Sequence, residues 1–145
     1  MKNFFPNKTA FYALIAACFV VCVTMGVRQT FGLYSSEFET TGGTSNTEFG
    51  LAIAVHAIFW GIFTPIFGRI SDRLGGYVVI VPALIFYSIS MLLMGNNFIS
   101  GMWLQINLGL LVGLGLAGAA GTILTPMISN HFPNEIRSKA AGIVT

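Results

Sequence analysis

Five polar or amphipathic side chains stand inside otherwise apolar stretches of this sequence, and they are the positions where chemistry could be done: Arg28, His56, Trp60, Gln105 and Asn107. A guanidinium is a permanently charged, fixed fork of donors that matches a carboxylate, so Arg28 facing a cavity would compensate an anionic solute. An arginine near a helix end can instead snorkel to lipid headgroups, or pair here with Glu37 or Glu39, and the spacing leaves both readings open. His56 is a proton carrier or hydrogen-bond donor if it faces a cavity, and a satisfied structural group otherwise. Trp60 follows one turn later on the same helix face, while Gln105 and Asn107 add neutral hydrogen-bonding groups. No Asp or Glu lies within the apolar runs, which excludes a carboxylate relay there and leaves His56 as the titrating group at depth. No nucleophile is paired with a base, so an enzyme is not expected and no cofactor is implied. His56 and His131 fall at different levels, and no metal site is expected.

The elements that must position these groups follow from composition. Of 145 residues, seven are Lys or Arg and five Asp or Glu. That is 8% charged, against roughly 25% in an ordinary soluble domain. With 54% hydrophobic residues and a mean hydropathy of +0.78, so few charges cannot clothe a water-soluble globule. The net charge of +2 and pI near 8.7 come from scattered basic residues, and nucleic acid is not an expected partner. Cys18 and Cys22, four apart in an apolar run, read as small apolar fillers on one helix face rather than a disulfide framework.

A spanning helix needs about 20 apolar residues to cross a hydrocarbon core of roughly 30 Å. Charge-free runs place four such spans at about 9–34, 48–69, 76–95 and 101–128, with the start of a fifth at 138–145. Gly95-Asn96-Asn97 breaks the long run after Leu74 into two. The runs are continuous rather than alternating, which favours helices over a barrel. The expected fold is all-α, a polytopic transmembrane helix bundle. The first run follows Lys2 and Lys8 but is too long for a secretory h-region and is followed by no A-x-A site, so it is read as an uncleaved helix. Lys2, Lys8, Arg69, Arg73, Arg137 and Lys139 fall on one side, and Glu37, Glu39 and Glu48 on the other. The positive-inside rule then puts the N-terminus in the cytoplasm and the chain in a plasma membrane.

The connection Gly68-Arg69-Ile70-Ser71-Asp72-Arg73-Leu74-Gly75-Gly76-Tyr77 reads as a tight cytoplasmic loop, with glycines 68 and 75 turning the chain and Asp72 accepting from free N–H groups at a helix start. Its Gly-x-x-x-Asp-Arg-x-Gly spacing resembles the signature loop of the major facilitator superfamily of secondary transporters. Gly68, Asp72, Arg73 and Gly75 match, while Gly76-Tyr77 replaces the usual closing basic pair. Pro133 to Gly142 resembles the family's entry into helix 5, with Arg137, Ala140 and Gly142 at matching spacing. Gly26-Val27-Arg28-Gln29-Thr30-Phe31-Gly32-Leu33 is similar to the end of helix 1 in the monocarboxylate and organic-anion carrier branch.

The resemblance implies the N-terminal half of a major-facilitator fold, partial here, with helices 1 to 4 and the start of 5. It implies a small solute, an organic anion, moved by alternating access, with Asp72, Arg73 and Arg137 bracing helix ends against a helix of the second bundle. That bundle is missing from these residues, so the segment is not expected to transport alone. Some drug/proton antiporters of the superfamily carry an Arg before the span 4 glycines; none is present, which weighs against that subtype. Gly109, Gly113, Ala117 and Gly121 recur every fourth residue, as a close-packing stripe would. A rival reading buries this stripe between copies of a small self-assembling four-helix membrane protein.

Overall fold

The computed structural model describes residues 8–96, 100–129 and 132–144. Lys2, Asn97, His131 and Thr145, which entered the sequence reading, lie outside these ranges. Helix α1 runs Lys8–Thr30 and passes through one 3-10 turn, Phe31–Tyr34, into α2, Ser35–Gly42. Helix α3 is Asn46–Leu74 and α4 is Tyr77–Gly95. A segmented rod follows: α5 Gly101–Leu104, a π-helical stretch Gln105–Leu111, α6 Val112–Ala119 and α7 Gly121–Ser129. Helix α8 is Asn134–Val144. Four rods, Lys8–Thr40, Asn46–Leu74, Tyr77–Gly95 and Gly101–Ser129, are long and apolar enough to cross a membrane. The architecture is an all-α bundle of membrane-spanning helices.

Local chemistry sets the boundaries. Ser45 and Glu48 form a capping box at the start of α3: the Glu48 N–H donates to Ser45 Oγ at 3.2 Å, and the Ser45 N–H to Glu48 Oε2 at 2.9 Å. Ahead of it, α2 stops at Gly43, whose φ of +61° suits a residue without a Cβ, and the Thr44 N–H returns to the Phe38 carbonyl at 3.2 Å. The segment holding Glu37 and Glu39 is therefore helical rather than an irregular loop.

The link after α3 differs from the sequence expectation. Gly68 to Leu74 continue α3, and Gly75 and Gly76 alone connect it to α4. At 1.5 Å per residue a 29-residue helix is about 44 Å long, so its polar last turns extend beyond a 30 Å apolar core and need no loop. Asp72 consequently lies in the last turn of α3, not at a helix start, and the expected capping role is not available to it.

The segmented rod is the most enclosed element. Leu104, Leu108, Val112 and Leu116 are fully buried along it. Its glycines form two stripes. Cβ atoms at Gly109 and Gly113 would meet Val55 Cγ1 at 2.7 Å and Phe59 Cβ at 2.9 Å, both on α3. One at Gly115 would meet Tyr87 Cβ at 2.9 Å, and one at Gly118 would meet Ala83 and Val79, all on α4. Lipid supplies no hydrophobic force between helices, so such backbone approach is what holds spans together. The surface that a self-assembling protein would bury between copies is thus filled within the chain. Exposed Phe19, Ile58, Ile62, Val81 and Ile85 leave an apolar exterior.

Candidate functional site

Arg28 lies in the last turn of α1, at the bundle end marked by Glu48, and projects toward α3. Its Nε–H donates to His56 Nε2 at 3.4 Å, and its Cζ stands 4.7 Å from the centroid of the Trp60 ring. His56 and Trp60, four apart and so neighbours on one helix face, stack with centroids 6.2 Å apart and planes at 27°. The imidazole is 1% exposed. Because Nε2 accepts, the ring proton of the neutral imidazole is on Nδ1, and that atom is buried without a hydrogen-bond partner among the described residues. Leaving a buried donor unmet costs about 1–3 kcal/mol, so this arrangement is not one that stability alone favours.

A cavity of about 350 Å³ opens beside the pair, lined by Arg28, Gln29, Phe31, Phe49, Ile53 and His56. That volume lies at the lower end of the range for small-molecule sites, and its walls combine one cation and one imidazole with apolar surface. Arg28 is half-buried and turned inward, while Glu37 and Glu39 are exposed on α2. Among the described residues it makes no ion pair with either, so the pairing expected as an alternative is not formed.

The structure brings Arg28, His56 and Trp60 together and sets Gln105 and Asn107 apart from the cavity. Gln105 Nε2 donates to the Glu48 carbonyl at 3.0 Å, tying the π-helical stretch to the start of α3. Asn107 is fully buried, and its backbone carbonyl accepts from Ser90 Oγ of α4 at 2.9 Å. The widened π turn packs this stretch against α3 and α4.

At the opposite end, Gly68, Asp72 and Gly75 line a cavity of about 420 Å³ together with Thr122 and Pro126 of α7. Arg73 faces a separate groove with Arg69. Arg137 Nε donates to the Ser129 carbonyl at 3.1 Å, where a cation at the end of α7 is well placed. It is joined to Asp72 by no ion pair among the described residues, so the three charged groups of the motif are not gathered into one cluster within this chain. Gly76, which stands where the family's basic pair begins, packs under Met127: a Cβ there would meet Sδ at 2.5 Å.

Two apolar residues of the cavity wall, Phe49 and Ile53, do not stand out in composition. With His56 they recur at four and three residues on a single helix face, and that period is the signal that could have found them. Phe31 gave no signal, since it belongs to the 3-10 turn rather than to a helix face.

A bundle of apolar spans with a half-buried cation at one end and glycine-mediated packing through its middle defines a polytopic integral membrane protein. The family model for the Major Facilitator Superfamily matches residues 9–145, and the chain belongs to that superfamily. A class E tetracycline resistance protein of Escherichia coli is 27% identical over 140 residues, covering 95% of this chain and 33% of the relative. A class B tetracycline resistance protein of Escherichia coli is 35% identical over 94 residues, 65% of this chain and 22% of the relative. The quinolone resistance protein NorA of Staphylococcus aureus is 31% identical over 105 residues, 71% and 26% respectively. The chain thus spans a third or less of the length of these curated relatives. No solved structure matches it. A missing span 4 arginine does not separate the chain from relatives with drug-resistance names, and these relatives lend the monocarboxylate branch no support.

Proposed function

We propose that this protein moves a small organic anion across a plasma membrane by alternating access, as a secondary transporter and not an enzyme, with Arg28 as the group that holds the anion. One observation carries this reading: the guanidinium is half-buried beside a cavity, and the groups it touches, His56 and Trp60, are neutral. A cation placed in a membrane helix without an anionic partner is costly and is a functional feature by default. The remaining wall of the pathway comes from a second helix bundle, against which this one rocks. The basic residues Lys8, Arg69, Arg73, Arg137 and Lys139 face the cytoplasm, so the Arg28 cavity opens toward the outside. Asp72, Arg73 and Arg137 engage the second bundle rather than each other.

The test is uptake of labelled acetate, lactate and benzoate by vesicles holding the full-length protein expressed from its native reading frame. Uptake that Arg28→Ala abolishes, at unchanged membrane insertion, supports the reading; uptake indifferent to that change removes Arg28 from the pathway. Export of tetracyclines or quinolones is a second reading, favoured by the names of the relatives, and the same vesicles loaded with those drugs decide it.

A further inference from the structure

We infer that Arg28 and His56 form one two-ligand site, in which an anion on the Arg28 guanidinium and a proton on His56 Nε2 are taken up together. This rests on the anion reading above and adds the coupling partner to it.

The argument starts from which lone pair is occupied. In the present arrangement the only basic nitrogen of the His56 ring, Nε2, accepts from Arg28 Nε–H. While that contact holds, a proton cannot reach the lone pair, and a second positive charge there would face a bare guanidinium. The contact is weak: 3.4 Å is long for a hydrogen bond to nitrogen, and its acceptor is neutral. A carboxylate offers Arg28 two parallel charge-assisted bonds, which are shorter and roughly twice as strong as bonds between neutral groups. An anion entering the 350 Å³ cavity therefore draws the half-buried guanidinium off the imidazole. The freed Nε2 lone pair then takes up a proton from the bulk solution, passed through the water of the cavity, giving an imidazolium with N–H groups at both Nδ1 and Nε2. The new Nε2–H donates to the second carboxylate oxygen, so the anion lies between two cations. Release reverses each step: the proton leaves Nε2 as the anion leaves Arg28, and Nε again donates to the lone pair.

Among the described residues the proton has no other place to bind. Among the described residues Arg28, from α1, is the charged group facing His56. From α6, Gly113 packs against the His56 backbone and carries no charge. From α4, the Tyr87 hydroxyl donates to the Thr24 carbonyl at 3.3 Å. On α3 itself the acidic groups Glu48 and Asp72 are eight and sixteen residues away, about 12 and 24 Å along the axis.

The experiment uses the full-length purified protein in nanodiscs, with benzoate as the probe. Benzoate is added in a weakly buffered solution near neutral pH while proton uptake and benzoate binding are followed separately. The expected result is uptake of about one proton per benzoate bound, with affinity rising as pH falls. His56→Gln keeps an acceptor for Arg28 but cannot be protonated at it; this variant should still bind benzoate, with proton uptake lost and affinity independent of pH. Benzoate binding without proton uptake in the unaltered protein, or uptake that persists in His56→Gln, overturns the two-ligand site and leaves the anion reading standing. Failure of benzoate, acetate and lactate all to bind overturns both.

Discussion

Arg28 and His56, twenty-eight residues apart in the chain, meet with Nε and Nε2 3.4 Å apart at one end of the first two spans. The contact joins α1 to α3 at the place where the bundle holds its cavity of about 350 Å³. Neither residue is placed there by a strong bond. The guanidinium is held by an imidazole lone pair and by the face of an indole, worth together far less than a carboxylate would be. A cation kept in weak neutral contacts can be surrendered to an incoming anion at little cost, which a buried ion pair would not allow.

Replacing Arg28 should separate binding from folding. Loss of a charge-assisted hydrogen-bonding group costs about 1.5–3 kcal/mol, so Arg28→Ala should weaken benzoate binding by roughly ten- to a hundredfold. Arg28→Lys keeps the charge but not the planar fork, and should recover part of that loss. Isothermal titration in nanodiscs reads both, and equal affinities for all three proteins would sink the assignment of Arg28.

Trp60 should report the site directly. These 145 residues hold two tryptophans, Trp60 and the exposed Trp103, and the difference in emission between the full-length protein and its Trp60→Phe variant isolates Trp60. Withdrawal of the guanidinium from its ring face should change the emission on adding benzoate. Trp60→Leu removes a cation–π contact worth about 0.5–2 kcal/mol from the unliganded state alone, so benzoate affinity should rise by about two- to thirtyfold. An emission spectrum unmoved by saturating benzoate would contradict the geometry.

Much of this arrangement was legible because membranes constrain sequences strongly. Charge-free runs mark the spans, and a cation such as Arg28 inside one is conspicuous for the same reason. What hid from the sequence were features decided by packing between helices. The Gly109 and Gly113 stripe was visible as a period of four, but the companion stripe of Gly115 and Gly118 was not, because it needs a second neighbour, α4, on the other side of the rod. Asn107 reads as a polar group at depth whether it faces a cavity or a neighbouring helix, and only the π turn shows that it lies among buried groups. The stretch after Gly68 reads as a loop because its charges interrupt the apolar run, yet charged residues are adequate helix formers and α3 simply continues.

That continuation makes the two motif glycines unequal. Gly68 lies inside α3 with open space where a Cβ would be, whereas Gly75 has a φ of +94° that other residues adopt only under strain. Gly68→Ala should stabilise the protein by about 0.5–1 kcal/mol, and Gly75→Ala should destabilise it by about 1–3 kcal/mol. Denaturant titration in detergent, followed by circular dichroism, measures the two. Identical shifts would mean that the link between α3 and α4 is built differently.

The glycines of the central rod permit the sharpest separation of stability from function. A methyl group at Gly118 would press on Ala83 and on the Val79 carbonyl, and one at Gly113 on Phe59 Cβ at 2.9 Å and the His56 carbonyl at 3.0 Å. Neither set of atoms is the flexible end of a side chain, so overpacking of about 1–3 kcal/mol is expected for either alanine variant. Gly61→Ala, with nothing within 4 Å, is the control that should not lose stability. The two alanine variants differ in where the strain goes. At Gly118 it moves α4, which holds no part of the Arg28 cavity wall named above; at Gly113 it pushes on the backbone that carries His56. Benzoate affinity should therefore fall in Gly113→Ala and stay near that of the unaltered protein in Gly118→Ala, although both unfold more easily. A parallel loss of affinity in the two would show that binding follows general stability, and would remove the case for a cavity organised by α1 and α3.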